Sequence, residues 1–283
     1  MPFEVPIAEA ERMFQEYEFI SALTPSAQKA AFHVRDTEGN DLCLKIISPD
    51  YSIDRLNREI IALQTISHPN VVDLVEYTYS TSRSVHRHYM LEKFIHGRDL
   101  SELLVSGQPW PRDETSQFFI NLCDGLDVLR ENEIIHRDLK PSNIRVKEDG
   151  SPVIIDFGTA RHLRLPDLTN TEDGAGFGTP KYFSPEQFNG TKYDIDHRTD
   201  LFALGIILYQ AIMGRHPFYQ DRMSIQELRD AVCSSYVYLE ADDFKSLPNQ
   251  WQILISKVLS KERALRPLTA GQIGNILCKI GGI

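Results

Sequence analysis

The sequence predicts an α+β chain in which a small β-rich half precedes a larger helical one. Three observations carry this. Five short runs that read as strands, with turn signals between them, fall before residue 95. One helical stripe interrupts them. From about Arg112 onward, apolar residues recur at helical spacing instead. The 283 residues allow one large domain or two lobes with separate cores.

Taken in order, residues 17–22, 31–35 and 42–47 read as strands, separated by turn signals at Thr24-Pro25 and Glu38-Gly39-Asn40. Ser52 can cap the helix that follows, and Ile53, Leu56, Ile60, Leu63 and Ile66 form its apolar stripe. Glu59 falls on that stripe, and Lys45 lies within the apolar strand Leu42-Cys43-Leu44-Lys45-Ile46-Ile47. A buried charge needs a partner, so pairing Lys45 with Glu59 satisfies both; the alternative is two side chains that snorkel outward separately. His68-Pro69-Asn70 breaks the helix, and residues 71–80 and 88–94 supply two more strands. In the second half Phe119, Leu122, Leu126 and Leu129 make one stripe. Residues 201–213 are apolar nearly all round, as in a buried central helix, and 251–259 form a further helix. Clefts between lobes are favoured ligand sites.

Composition is that of an ordinary globular chain, 42% hydrophobic and 25% charged. A net charge of −10, from 30 basic and 40 acidic residues, argues against nucleic-acid binding. No run of 18 apolar residues suggests a membrane span. The Glu-containing N-terminus does not read as a secretory signal. Cys43, Cys123, Cys233 and Cys278 have neither zinc-site nor redox spacing. Scattered reduced thiols place the chain in a cytosol, its own cell's or, for a secreted effector, a host's. Oligomeric state is not readable.

The most informative stretch is His136-Arg137-Asp138-Leu139-Lys140-Pro141-Ser142-Asn143, followed by Asp156-Phe157-Gly158. Asp138, Asn143 and Asp156 each lie beside a strand-like run, at 133–135, 144–146 and 153–155. They offer a proton acceptor and two oxygen ligands for a hard cation. Mg²⁺ takes few protein oxygens and completes its shell with phosphate and water, and phosphoryl transfer needs little beyond positioning and charge neutralisation.

With these motifs in this order, the chain resembles the eukaryotic-type (Hanks-type) Ser/Thr protein kinases from about Tyr17 to its end. The resemblance implies the two-lobed α+β kinase fold, with a β-rich N-lobe over residues 1–92 and an α-helical C-lobe over 93–283. It implies ATP and Mg²⁺ as cofactors and proteins with Ser or Thr acceptors as substrates. Lys45, where the family has Val-Ala-Ile-Lys, would hold the α- and β-phosphates, oriented by Glu59. Leu91 would gate the back of the adenine pocket, and the backbones of Glu92 and Phe94 would meet the adenine edge. Asp138 would be the catalytic base, Lys140 would neutralise the moving phosphoryl group, and Asn143 and Asp156 would bind Mg²⁺. Thr179 matches the threonine that contacts the catalytic Asp. Ser184-Pro185-Glu186 stands for Ala-Pro-Glu, with Glu186 paired to Arg266, and Asp200 would hydrogen-bond the catalytic loop. Arg137 would receive a phosphate carried by Thr169 or Thr171.

Three departures stand out. The family's glycine-rich loop is absent, since the first glycine of the chain is Gly39. Arg145 occupies a place usually apolar, where it would stack on a base or snorkel. Cys43 stands where alanine is common. Two other readings stay open: a pseudokinase serving as a nucleotide-binding or scaffold module, and a kinase of small molecules.

Overall fold

A computed structural model describes residues 2–80, 87–163, 179–190 and 194–282. The chain divides into two compact units, Met1–His68 with Val72–Ile95, and Pro69–Val71 with His96–Ile283.

The first unit contains α1 (Ile7–Met13), β1 (Glu18–Ala22), β2 (Lys29–Arg35), β3 (Asp41–Ile47), α2 (Ile53–Gln64), β4 (Leu74–Ser80) and β5 (Arg87–Lys93). The strands form an antiparallel sheet ordered β1-β2-β3-β5-β4. Side chains alternate between the two faces of a strand, and the register sorts them cleanly. Ala30, Phe32, Val34, Leu42, Leu44, Ile46, Tyr89 and Leu91 share one face, where they form a buried core with Ala10 and Phe14. The rings of Phe14 and Tyr89 meet edge-on at 4.8 Å. The other face carries Lys29, Ala31 and His33 from β2, Cys43 and Lys45 from β3, and Met90 and Glu92 from β5.

Sequence and structure differ here in four places. Helix α1 was not legible: it is only seven residues long, and Ala10 is its single fully buried side chain. Strand β2 starts two residues before the predicted 31, at Lys29. Residues 71–73 leave the predicted fourth strand; Val71 instead forms a parallel bridge to Ile154 in the second unit. Ser52 precedes α2 as expected but makes no side-chain cap bond; its carbonyl accepts from the Leu56 N–H at 3.0 Å.

The second unit runs through β6 (Arg98–Asp99), α3 (Leu100–Leu104), α4 (Arg112–Glu131), β7 (Ile134–Ile135), β8 (Ile144–Val146), β9 (Pro152–Ile154), β10 (Arg161–His162), α5 (Pro185–Asn189), α6 (Arg198–Met213), α7 (Ile225–Ser234), α8 (Val237–Glu240), α9 (Asp242–Lys245), α10 (Asn249–Val258) and α11 (Ala270–Gly281). Helix α6 is the predicted central helix: Leu201 to Leu208 is buried without interruption, so no polar face exists for water. Helix α11 packs on α4, which adds to the N-cap that Thr269 Oγ1 makes by accepting from the Gln272 N–H at 3.2 Å. The Asp127 carboxylate accepts from the N–H groups of Ala270 and Gly271 at 3.0 and 2.7 Å. Such a cap satisfies donors that every helix leaves open, and favours negative charge at that end. Among the described residues, no helix is long and apolar enough to cross a membrane.

Candidate active site

In the second unit the site is built on α6. Asp200, in its first turn, is buried and accepts from the backbone N–H groups of His136 and Arg137 at 2.8 and 2.9 Å. Burial pushes its carboxyl above the ordinary carboxylate range, against the pull of His136 and those two donors. The turn so held is sharp, with Arg137 in the left-handed region at φ 65°. Arg137 is tied further: its Nε donates to the Thr159 carbonyl at 2.6 Å, and its own carbonyl accepts from Gln187 at 2.8 Å. His136, fully buried, lies edge-on to the Phe157 ring at 5.0 Å.

Four predicted residues converge next. The Asp138 carboxylate accepts from the Thr179 N–H at 2.8 Å through one oxygen and from Lys140 Nζ at 2.7 Å through the other. Lys140 also donates to Thr179 Oγ1 at 2.8 Å. Asn143 Nδ2 donates to the Asp138 carbonyl at 2.9 Å. Asp138 is thereby fixed in rotamer among charged and polar donors, as a positioned proton acceptor must be.

The hairpin β8–β9 brings the two proposed metal ligands to one end. The Ile155 N–H donates to the Asn143 carbonyl at 2.9 Å, so Asn143 and Asp156, which follows Ile155, lie at the same end of the hairpin. Asp156 has φ 61°, a strained conformation for a non-glycine residue, and its Oδ1 accepts from Gly158 N–H at 3.4 Å. One carboxylate and one amide oxygen are the hard, sparse donor set that suits Mg²⁺.

The segment from Thr179 to Gln187 is anchored from below. Glu186 and Arg266 form a bidentate pair at 2.7 and 2.8 Å, with Thr199 adding a 2.9 Å hydrogen bond. Ser184 and Gln187 form a capping box at the start of α5. His216, for which no sequence motif signals a role, adds another tie. Its Nδ1 accepts from the N–H groups of Phe218 and Tyr219 at 3.0 and 2.8 Å, leaving Nε2–H to donate to the Lys181 carbonyl at 2.8 Å. Burial lowers its pKa to about 4 from 6.5. A histidine depressed in the fold contributes stability that is full above its unfolded pKa and is lost as pH falls toward the folded value. Between pH 7 and 5 the melting temperature should therefore drop less in His216→Gln than in the unaltered protein; equal drops would show that His216 is not a source of the acid sensitivity.

In the first unit each of the two residues predicted to pair has a further partner. Glu59 is bonded to Lys29, and Lys45 to Glu92 at 2.7 Å. Strand parity explains the second pair: Glu92 lies opposite Cys43, and therefore on the face of Lys45. The same parity corrects the role given to Leu91. It lies opposite Leu44 in the core packed by α1, and the β5 side chains beside Lys45 are Met90 and Glu92. Glu92 is paired on both sides, with Cys43 and Leu74, and the Phe94 N–H donates to the Asp41 carbonyl at 3.1 Å. The Phe94 ring stacks on His33, centroids 3.7 Å apart. Cys43 is half-buried on the Lys45 face.

The protein kinase domain family matches residues 29–275. The chain belongs to that family. It is 30% identical over 219 residues to a probable serine/threonine-protein kinase of Streptomyces coelicolor, covering 75% of this chain and 32% of that protein. It is 29% identical over 250 residues to the probable serine/threonine-protein kinase PknB of Bifidobacterium longum, covering 83% and 35%. A probable serine/threonine-protein kinase of Clostridium perfringens is 27% identical over 273 residues, covering 93% and 38%. The chain thus spans about a third of the length of these relatives.

Within this kinase domain, Arg145 is held by its own neighbours. It donates to Asp99 Oδ1 at 2.9 Å and to the Gly97 carbonyl at 2.5 Å, which ties β8 to β6. Thr169 and Thr171 lie outside the described residues.

Proposed function

We propose that this kinase domain transfers the γ-phosphate of ATP to Ser and Thr hydroxyls of protein substrates. The observation that carries the reading is the Asp138 cluster: a carboxylate held in one rotamer by the Thr179 N–H and Lys140. Asp138 takes the proton of the incoming hydroxyl as it aligns with the phosphorus. Lys140, 2.7 Å from that carboxylate and 2.8 Å from Thr179, offsets charge on the group in transit. Thr179 orders both. Asn143 and Asp156 would hold Mg²⁺, which supplies charge neutralisation and orientation of the phosphates. Lys45 would meet the α- and β-phosphates as a compact charge with rotatable donors.

The glycine-less loop motivates testing one rival, a nucleotide-binding scaffold without transfer. Asp138, Asn143, Asp156 and Lys45 together oppose it, because a scaffold has no need of a positioned base. The test is incubation with γ-labelled ATP, Mg²⁺ and basic protein substrates beside Lys45→Ala and Asp156→Asn. Label on Ser or Thr that disappears in both variants is the expected result. Nucleotide binding with no transfer would sustain the scaffold instead, and label found only on a metabolite would indicate a small-molecule kinase.

A further inference from the structure

We propose that Lys29 is a second lysine for the nucleotide phosphates, held by Glu59 on α2 as Lys45 is held by Glu92. The inference rests on the kinase reading above and adds a residue to it. Two independent observations support it.

The first is placement. Lys29 opposes Ile47 and Ala31 opposes Lys45, so Lys29 and Lys45 are diagonal neighbours on one face of the sheet. Such residues lie about 7–8 Å apart, within reach of long side chains. Both lysines are nearly enclosed, at 5% and 8% exposure, and so are Glu59 and Glu92 at 0% and 2%. Burying four charges is costly unless the geometry is good, and exchanging a lone buried ion pair for well-packed apolar residues is often neutral. Two adjacent ammonium groups, each steadied by its own carboxylate, are what a polyphosphate chain recognises.

The second is what this chain lacks. Lys29 opens β2 directly after residues 23–28, the stretch that carries no glycine and includes Pro25. Glycines let backbone N–H groups approach phosphate closely, and proline removes one such donor. An ammonium group at the end of that stretch replaces backbone donors with a side-chain charge.

A merely structural Lys29 would neutralise Glu59 and nothing more, and one experiment separates the two roles. Mg²⁺ and a fluorescent ADP analogue are titrated onto the protein, Lys29→Met, Lys29→Arg, Lys45→Met and the double variant Lys29→Met with Glu59→Gln, with thermal melts alongside. We expect nucleotide affinity to fall about tenfold or more in Lys29→Met, as in Lys45→Met, since charge-assisted hydrogen bonds are lost. Lys29→Arg should keep most of it. The double variant removes the stranded carboxylate charge, so its melting temperature should recover while its nucleotide affinity stays low. Recovery of affinity in the double variant, or wild-type affinity in the single one, would overturn the proposal. No nucleotide binding by the unaltered protein would overturn both this proposal and the kinase reading. Binding without transfer in the unaltered protein, still weakened by Lys29→Met, would sink the enzymatic reading alone and uphold Lys29.

Discussion

Asp138→Asn should slow phosphoryl transfer by about 10²–10⁴-fold, the usual range for loss of a general base, while nucleotide affinity changes little. Asn keeps the volume and one acceptor oxygen, so the Thr179 N–H still has a partner. What disappears is the proton acceptor and the counter-charge of Lys140, which now donates to Asp138 at 2.7 Å. The loss should fall on kcat rather than on KM for ATP, because Asp138 aims the acceptor and is not among the phosphate ligands. Steady-state kinetics with ATP and a protein substrate, together with a melt to show an intact fold, would check it. A rate within a few-fold of the unaltered protein would remove Asp138 from the mechanism and with it the reading of the cluster. Lys140→Ala should give a smaller loss, since Asp138 would keep its proton-accepting oxygens and its tie to Thr179.

The parts of the site visible in the sequence were those fixed by short-range spacing. Asp138, Asn143 and Asp156 belong to one loop and one hairpin, β8–β9, so their separation along the chain already places them at the same end. The buried helix α6 was equally plain, because a segment apolar on every side has nowhere to go but inside. Long-range pairing was harder. Glu59 did need a cation on the apolar face of α2, but two lysines could supply it, and spacing does not choose between strands. Lys29 is one such cation, and it joins β2 because that strand starts two residues earlier than its composition suggests. Leu91 illustrates the other difficulty. A one-residue change of strand parity moves a side chain to the opposite face, and only the pairing of Leu44 with Leu91 fixes that parity. Helix α11 was missed for a reason of propensity: Gly271, Gly274 and Gly281 all weaken a helix in isolation. Its cap at Asp127 and its packing on α4, where a methyl added at Gly274 would sit 3.7 Å from Cys123 Cβ, compensate through tertiary contact.

Arg266→Met should be the most damaging substitution for stability, at about 3–5 kcal/mol. Arg266 is fully enclosed and spends both terminal nitrogens on Glu186, with its Nε on the Ser260 carbonyl at 2.8 Å. Removing it strands a buried carboxylate beneath the segment that presents Thr179. For a unit of this size each kcal/mol shifts the melting temperature by about 2–4 °C, so a fall of roughly 6–20 °C is expected. Adding Glu186→Gln should return part of that loss, since the stranded charge goes with it. The pH dependence gives a second signature. Burial alone would raise the Glu186 carboxyl, yet the Arg266 hydrogen bonds hold it below its ordinary 4.5. A depressed carboxylate contributes stability that is complete above its unfolded pKa and is lost as pH falls through the folded one. The unaltered protein should therefore lose stability in acid below about pH 4.5, and Arg266→Met with Glu186→Gln should lose less over the same range. Were the single variant to melt within about 2 °C of the unaltered protein, less than 1 kcal/mol by the same scaling, the pair would not be what holds the substrate segment in place.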